Sequence, residues 1–179
     1  MFISRPGLTN QSFETSAIAK EPSSKGTQGK EGMIYSFWLF DRHCECIYRR
    51  VWNSQRQQNV PVGIPSQDDI GKLIYGVSQS LRNITRKISD EDSFLSFSTS
   101  KYRLHFFETP SNIKFVMLSD PDSMELTSVL KQIYRYLYLE YVVKNPLAPI
   151  EHSKGAGVNN ELFTMGLDAL VSGLPGYNS

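Results

Sequence analysis

The sequence predicts a mixed α/β (α+β) fold of order β-β-α-β-β-β-α-α, with a five-stranded, mainly antiparallel sheet held between helices. Three observations carry that expectation. Residues 33–41 and 113–119 are apolar at nearly every position, the pattern of central strands covered on both faces. Residues 66–88 and 122–143 space their aliphatic side chains three and four apart, as one face of a helix requires. Pro, Gly, Asn and Ser punctuate the junctions, so the runs are separate elements that must pack in layers around a common core.

Residues 1–32 are rich in Ser, Thr, Gly, Gln and Lys, with apolar residues at no regular spacing. Such a stretch cannot bury enough surface to offset chain entropy, so it is read as a disordered extension to a domain over residues 33–179. Ordered character begins at Met33, which can itself serve as a translation start. The first strand turns at Asp41 to His43 into a second, residues 44–52, whose Glu45, Arg49 and Arg50 suit an exposed edge. A polar and Pro-rich loop leads to the first helix, with Ser66 as N-cap and Asp69 completing a capping-box-like start. Ile70, Leu73, Ile74, Val77, Leu81, Ile84 and Ile88 are expected to form its buried face. Gly71 and Gly76 each weaken this helix by about 1 kcal/mol relative to Ala, so packing or close approach must justify them.

Three strands follow as a meander over residues 93–99, 102–109 and 113–119, the last lying next to the first strand. Asp122 or Ser123 caps the long second helix, which buries Leu126, Val129, Leu130, Ile133, Leu137 and Tyr141 and stops at Asn145-Pro146. A terminal helix starts at Asn159 or Asn160, carries Leu162, Phe163, Leu167, Leu170 and Val171, and closes at Gly173 and Pro175. This order is that of the longin or profilin-like fold.

With 179 residues, 40% hydrophobic, the chain can build one ordinary core. A net charge of +1 gives no footprint for nucleic acid. Cys44 and Cys46, two apart, would point to one face of a strand in the wrong geometry for a mutual disulfide, which fits a reduced, cytosolic setting. No apolar run reaches the roughly 18 residues that span a bilayer, and no secretory signal is evident, so membrane contact is expected to be peripheral.

No cofactor, metal or catalytic residue is expected. His43, Cys44 and Cys46 lack the second ligand cluster of a structural zinc site. His105 and His152 have no evident acid-base partner, and Ser98, Thr99 and Ser100 beside Lys101 read as a polar strand end. Lys154, Gly155 and Gly157 lack phosphate-loop spacing and read as linker. Tyr134, Tyr136, Tyr138 and Tyr141 fall on more than one helix face and serve packing. The sharper feature is a stripe of Tyr75, Gln79, Arg82 and Arg86 on the first helix, away from its aliphatic face. Tyr and Arg are enriched where proteins meet, so this stripe is the candidate protein contact, set against an ordinary solvated face.

Several segments also carry a family resemblance: Met-Ile-Tyr-Ser-Phe-Trp-Leu-Phe-Asp-Arg-His-Cys from Met33, Lys-Leu-Ile-Tyr-Gly from Lys72, and Ser-Leu-Arg-Asn-Ile-Thr from Ser80. Thr-Ser-Lys-Tyr-Arg-Leu-His-Phe-Phe-Glu-Thr-Pro from Thr99 and Glu-Tyr-Val-Val-Lys-Asn-Pro-Leu-Ala-Pro from Glu140 extend it over nearly everything after Met33. With these the chain resembles the Bet-five family, the small longin-type core subunits of the transport protein particle (TRAPP). The resemblance implies a longin fold, a sister longin TRAPP subunit and an acyl-binding α/β TRAPP subunit as neighbours. It also implies a part in nucleotide exchange on an early-secretory Rab GTPase in ER-to-Golgi transport, without covalent chemistry, at endoplasmic reticulum and cis-Golgi membranes. A longin-type adaptor subunit and an independent small-molecule enzyme are the competing readings; a longin SNARE would need a long heptad helix, which is missing.

Overall fold

In a computed structural model, the structure describes residues 32–52, 67–89, 94–147, 157–174 and 177–178. The expected extension lies outside these residues apart from Gly32, with which the first strand opens. Ser66 and His152 lie outside them as well.

The five main strands are antiparallel: β1 (Gly32–Phe40), β2 (Cys46–Val51), β3 (Ser96–Ser98), β4 (Arg103–Glu108) and β5 (Lys114–Ser119), in the order β2-β1-β5-β4-β3. A two-residue strand β6 (Tyr177–Asn178) adds in parallel to the start of β1. The two apolar runs are thus the central pair, as their composition demands. Their alternate side chains feed two cores. Phe37, Leu39, Phe115 and Met117 point to one, Trp38, Phe40 and Val116 to the other.

The first core is closed by α2 (Thr127–Gln132), its continuation over Ile133–Val143, and α3 (Glu161–Ser172). The continuation has π-type hydrogen bonding, as where Lys144 N–H donates to Leu139 O at 3.0 Å. Leu126, Val129, Leu130, Ile133 and Leu137 are buried as their spacing requires, and Tyr141 is half-buried against them. Asn160 is the N-cap of α3: its side chain accepts from Phe163 N–H at 3.2 Å and donates to Tyr141 O at 2.6 Å. Phe163, Leu167 and Val171 are buried, but Leu162 is exposed, because it falls on the opposite side of α3. Arg50 grips Asp168 with two hydrogen bonds, at 2.9 and 2.6 Å, and Trp52 Nε1 adds a third at 2.8 Å, tying β2 to α3.

Three expectations need correction. Cys44 sits in the hairpin turn with φ of 71°, exposed, while only Cys46 lies on β2; Asp41 Oδ1 accepts from the backbone of His43 and Glu45 and so builds that turn. Asp122 and Ser123 do not cap α2; Leu126 occupies that place with no side-chain cap of its own. Gly157, read as linker, is a point of close approach: Val158 N–H donates to Ile47 O at 2.6 Å, and a Cβ on Gly157 would lie 2.7 Å from the same oxygen.

Candidate functional site

Helix α1 (Gln67–Ile88) covers the second core, with Ile70, Ile74 and Tyr75 packed against Trp38, Phe40, Leu104 and Phe106. Its orientation is rotated from the expected one: Ile70 and Ile74 of the predicted face pack on the sheet and Leu81 is half-buried, but the other four residues are not covered. Leu73, Val77, Ile84 and Ile88, assigned above to the buried face, are 59, 41, 53 and 81% exposed. Gly71 and Ser78 are buried in their place. Periodicity locates an apolar arc on a helix but does not say what covers it, and here only one flank of the arc reaches the sheet.

Two features of the sheet explain the rotation. Gly71 lies over Trp38, where a Cβ would sit 3.4 Å from the indole ring, so this small residue lets the helix pack closely on the sheet there. Farther along, Arg82 Nε lies 2.8 Å from Glu108 Oε2, with side chains 19 and 12% exposed. Lys114 Nζ is 3.6 Å from the other Glu108 oxygen and 5.7 Å from the Tyr75 ring centroid, and donates to Asn112 O at 3.2 Å. Full burial of an aliphatic side chain is worth about 1.5–3 kcal/mol, whereas stripping one partner from a buried ion pair costs about 3–5 kcal/mol. The polar cluster offsets the burial of one or two such side chains, and so opposes the rotation together with the close Gly71–Trp38 packing.

The structure thus divides the predicted stripe. Arg86 is exposed and Gln79 half-buried, while Tyr75 and Arg82 turn toward the sheet. Tyr75 packs on Phe40 at 5.5 Å between ring centroids, and its hydroxyl is 2.8 Å from Cys44 Sγ. Burial, then the Cys44 contact, pushes the Tyr75 hydroxyl up to about 12, so it stays protonated at neutral pH. Sequence reading missed Glu108 and Lys114. The signal was available: the β4–β5 hairpin sets these opposite charges directly across from one another.

The remaining candidates have structural roles. His105 is fully buried; its Nε2 meets Ser119 Oγ at 2.8 Å and its Nδ1 accepts from Leu126 N–H at 3.1 Å. Thr99 Oγ1 closes the turn before β4 by accepting from Tyr102 N–H at 3.0 Å. Tyr134 and Tyr138 stack at 6.2 Å and both set an edge against Phe115, while Tyr136 is exposed. His43 Nε2 accepts from Arg42 Nε at 3.2 Å, and among the described residues no cluster of three or more His, Cys, Asp or Glu could hold a metal. No helix among the described residues is long and apolar enough to cross a membrane.

Comparison with known proteins gives a consistent set of relatives. The Sybindin-like family matches residues 34–174. Transport protein particle subunit bet5 of Schizosaccharomyces pombe is 41% identical over 148 residues, 77% of this chain and 95% of the relative. Trafficking protein particle complex subunit 1 of Homo sapiens is 40% identical over 149 residues, 82% of this chain and 97% of the relative. Trafficking protein particle complex subunit 4 of Dictyostelium discoideum is a more distant relative, 28% identical over 102 residues, 57% of this chain and 72% of its own length.

Proposed function

This chain belongs to the Sybindin-like family, and from that premise we propose that it is a non-catalytic core subunit of TRAPP, contributing to assembly and to nucleotide exchange on an early-secretory Rab GTPase. The observation that carries the reading is the outward aliphatic stripe of α1, Leu73, Val77, Ile84 and Ile88, which this chain leaves for another protein to cover. The sister longin subunit is the proposed occupant, because a relative named as a different subunit of the same complex also matches this chain. Gly76, beside that face, supports the same reading. Its position has nothing within 4 Å, so the fold itself gives no reason for a glycine there, whereas an approaching partner helix would use the space.

Exchange in this scheme needs no chemistry from the chain. The assembled complex binds the nucleotide-free GTPase more tightly than the loaded form, and that difference in affinity expels GDP. The acyl-binding α/β subunit is the second proposed neighbour, and the complex works at endoplasmic reticulum and cis-Golgi membranes in ER-to-Golgi transport, with this chain cytoplasmic and peripheral. Residues 33–179 form the longin-like domain and residues 1–32 an extension to it, a division that the start of the family match at residue 34 supports.

Of the four residues first assigned to a protein contact, Arg86 offers its side chain directly and Gln79 partly, while Tyr75 and Arg82 act from beneath the helix. A chain carrying Val77→Asp and Ile84→Asp should recover TRAPP subunits from its native cells at least tenfold less well than the unaltered chain, with an unchanged melting temperature. Undiminished recovery would overturn the assignment of the surface.

A further inference from the structure

We infer that the ion pair between Arg82 and Glu108 is a rotational lock, which fixes which face of α1 the molecule presents to its partners. The helix carries an aliphatic arc wide enough to meet the sheet in either of two ways. Residues on a helix are about 100° apart, so a rotation of roughly a third of a turn would exchange Leu73, Val77 and Ile84 for the small and polar residues Gly71, Ser78 and Arg82 against the sheet. Hydrophobic burial alone favours that exchange. The observed helix does the reverse, with Ser78 at 0% exposure and Ile84 at 53%.

Besides the packing of Gly71 on Trp38, what opposes the exchange is a charge cluster at the end of β4. Glu108 lies at the end of β4 with its carboxylate between Arg82 Nε at 2.8 Å and Lys114 Nζ at 3.6 Å. Lys114 reaches Glu108 from the directly opposite position on the neighbouring strand, independently of α1. Arg82 is the α1 side chain paired with that carboxylate, and rotation would withdraw it and leave a mostly buried carboxylate with a weaker partner. Tyr75, lying beside Lys114 and on Phe40, joins the same cluster to the helix about two turns earlier. Arg82 is therefore a positioning residue: it touches no partner in this reading, and acts by setting the stripe that does. The functional consequence, though not the lock itself, rests on the proposed role of that stripe.

The test reads helix rotation by thiol labelling in the full chain. Single cysteines replace Ile84 on the stripe or Ser78 on the sheet side, and maleimide incorporation is followed by peptide mass, so that Cys44 and Cys46 are counted separately. In both Arg82→Met and Glu108→Gln, labelling at position 84 should slow at least threefold while labelling at position 78 accelerates at least threefold. Arg82→Lys, which keeps the charge, should leave both rates within twofold of the parent chain. Any other pattern overturns the lock. Acceleration at both positions would mean that the pair only stabilises the fold, and unchanged rates would mean that it does not set the rotation. Glu108→Gln preserves shape and carries the test alone if Arg82→Met does not fold; if neither folds, the pair determines the fold rather than the rotation, and the inference falls. Recovery of TRAPP subunits, measured on the same variants, separates the two ideas. Inverted labelling with undiminished recovery keeps the lock and removes the stripe's role, whereas loss of recovery in Val77→Asp with unmoved labelling in Arg82→Met does the opposite.

Discussion

His105 shows how one side chain can join a sheet to a helix. Leu126 begins α2 with no side-chain cap of its own, and its N–H is taken instead by His105 Nδ1 from β4. Because Nδ1 accepts, Nε2 carries the proton and donates to Ser119 Oγ, which in turn lies 2.5 Å from Ser123 Oγ. Burial first, and Arg103 second, lowers the imidazole from its ordinary 6.5 to about 4. Between those values the unfolded chain holds a proton that the folded chain does not, so stability falls as pH falls through that window and is fully present above 6.5. The total at stake is about 3 kcal/mol. Urea titrations from pH 7 to pH 4 should show this loss, and His105→Gln, less stable at pH 7 by about 1–2 kcal/mol for its poorer packing and bonding, should show a flatter dependence. Equal slopes in the two chains would contradict this account of His105.

Among the elements, α3 and α1 differ in what their sequences disclose. The cap of α3 was legible, because Asn160 precedes an apolar face that this chain itself buries. Asn160→Ala should cost about 1–2 kcal/mol by chemical denaturation, since it removes both the bond from Phe163 N–H and the bond to Tyr141 O. A melting curve unchanged by that substitution would count against the cap. For α1 the arc was legible and its orientation was not, since orientation depends on Trp38 meeting Gly71 and on Glu108 meeting Arg82, contacts made across the fold. Gly76 separates intrachain stability from assembly at this element. Gly76→Ala should raise stability by about 0.5–1 kcal/mol, because Ala is the better helix former and nothing in the chain crowds the position. Gly76→Leu should instead reduce recovery of TRAPP subunits, as a bulky side chain would stand between α1 and its neighbour. The widening of the second helix over Ile133–Val143 had no counterpart in the aliphatic spacing, which fits an ordinary helix equally well.

At the scale of the molecule, a sheet apolar on both faces is closed on one side by α2, its continuation and α3, which bury one face while Leu162 and Met165 stay exposed, and on the other by α1, whose aliphatic residues Leu73, Val77, Ile84 and Ile88 lie exposed along one face. Leu73, Val77, Ile84 and Ile88 lie exposed on a single face of α1, as a surface that another subunit covers would. The central strands were readable because a run apolar on both faces fits only mid-sheet burial. The edge strand β3 is shorter than the expected 93–99, although backbone bonds continue past its ends, from Phe106 N–H to Leu95 O and from Thr99 N–H to Tyr102 O, each at 2.8 Å. The most direct test of the central claim is purification of the full chain from its native cells, with mass spectrometry of what accompanies it and nucleotide release measured on the early-secretory Rab. The account predicts recovery of a sister longin TRAPP subunit and accelerated GDP release by the recovered complex, but not by this chain alone. Recovery of the chain without TRAPP subunits, or of a complex with no effect on GDP release, would contradict it.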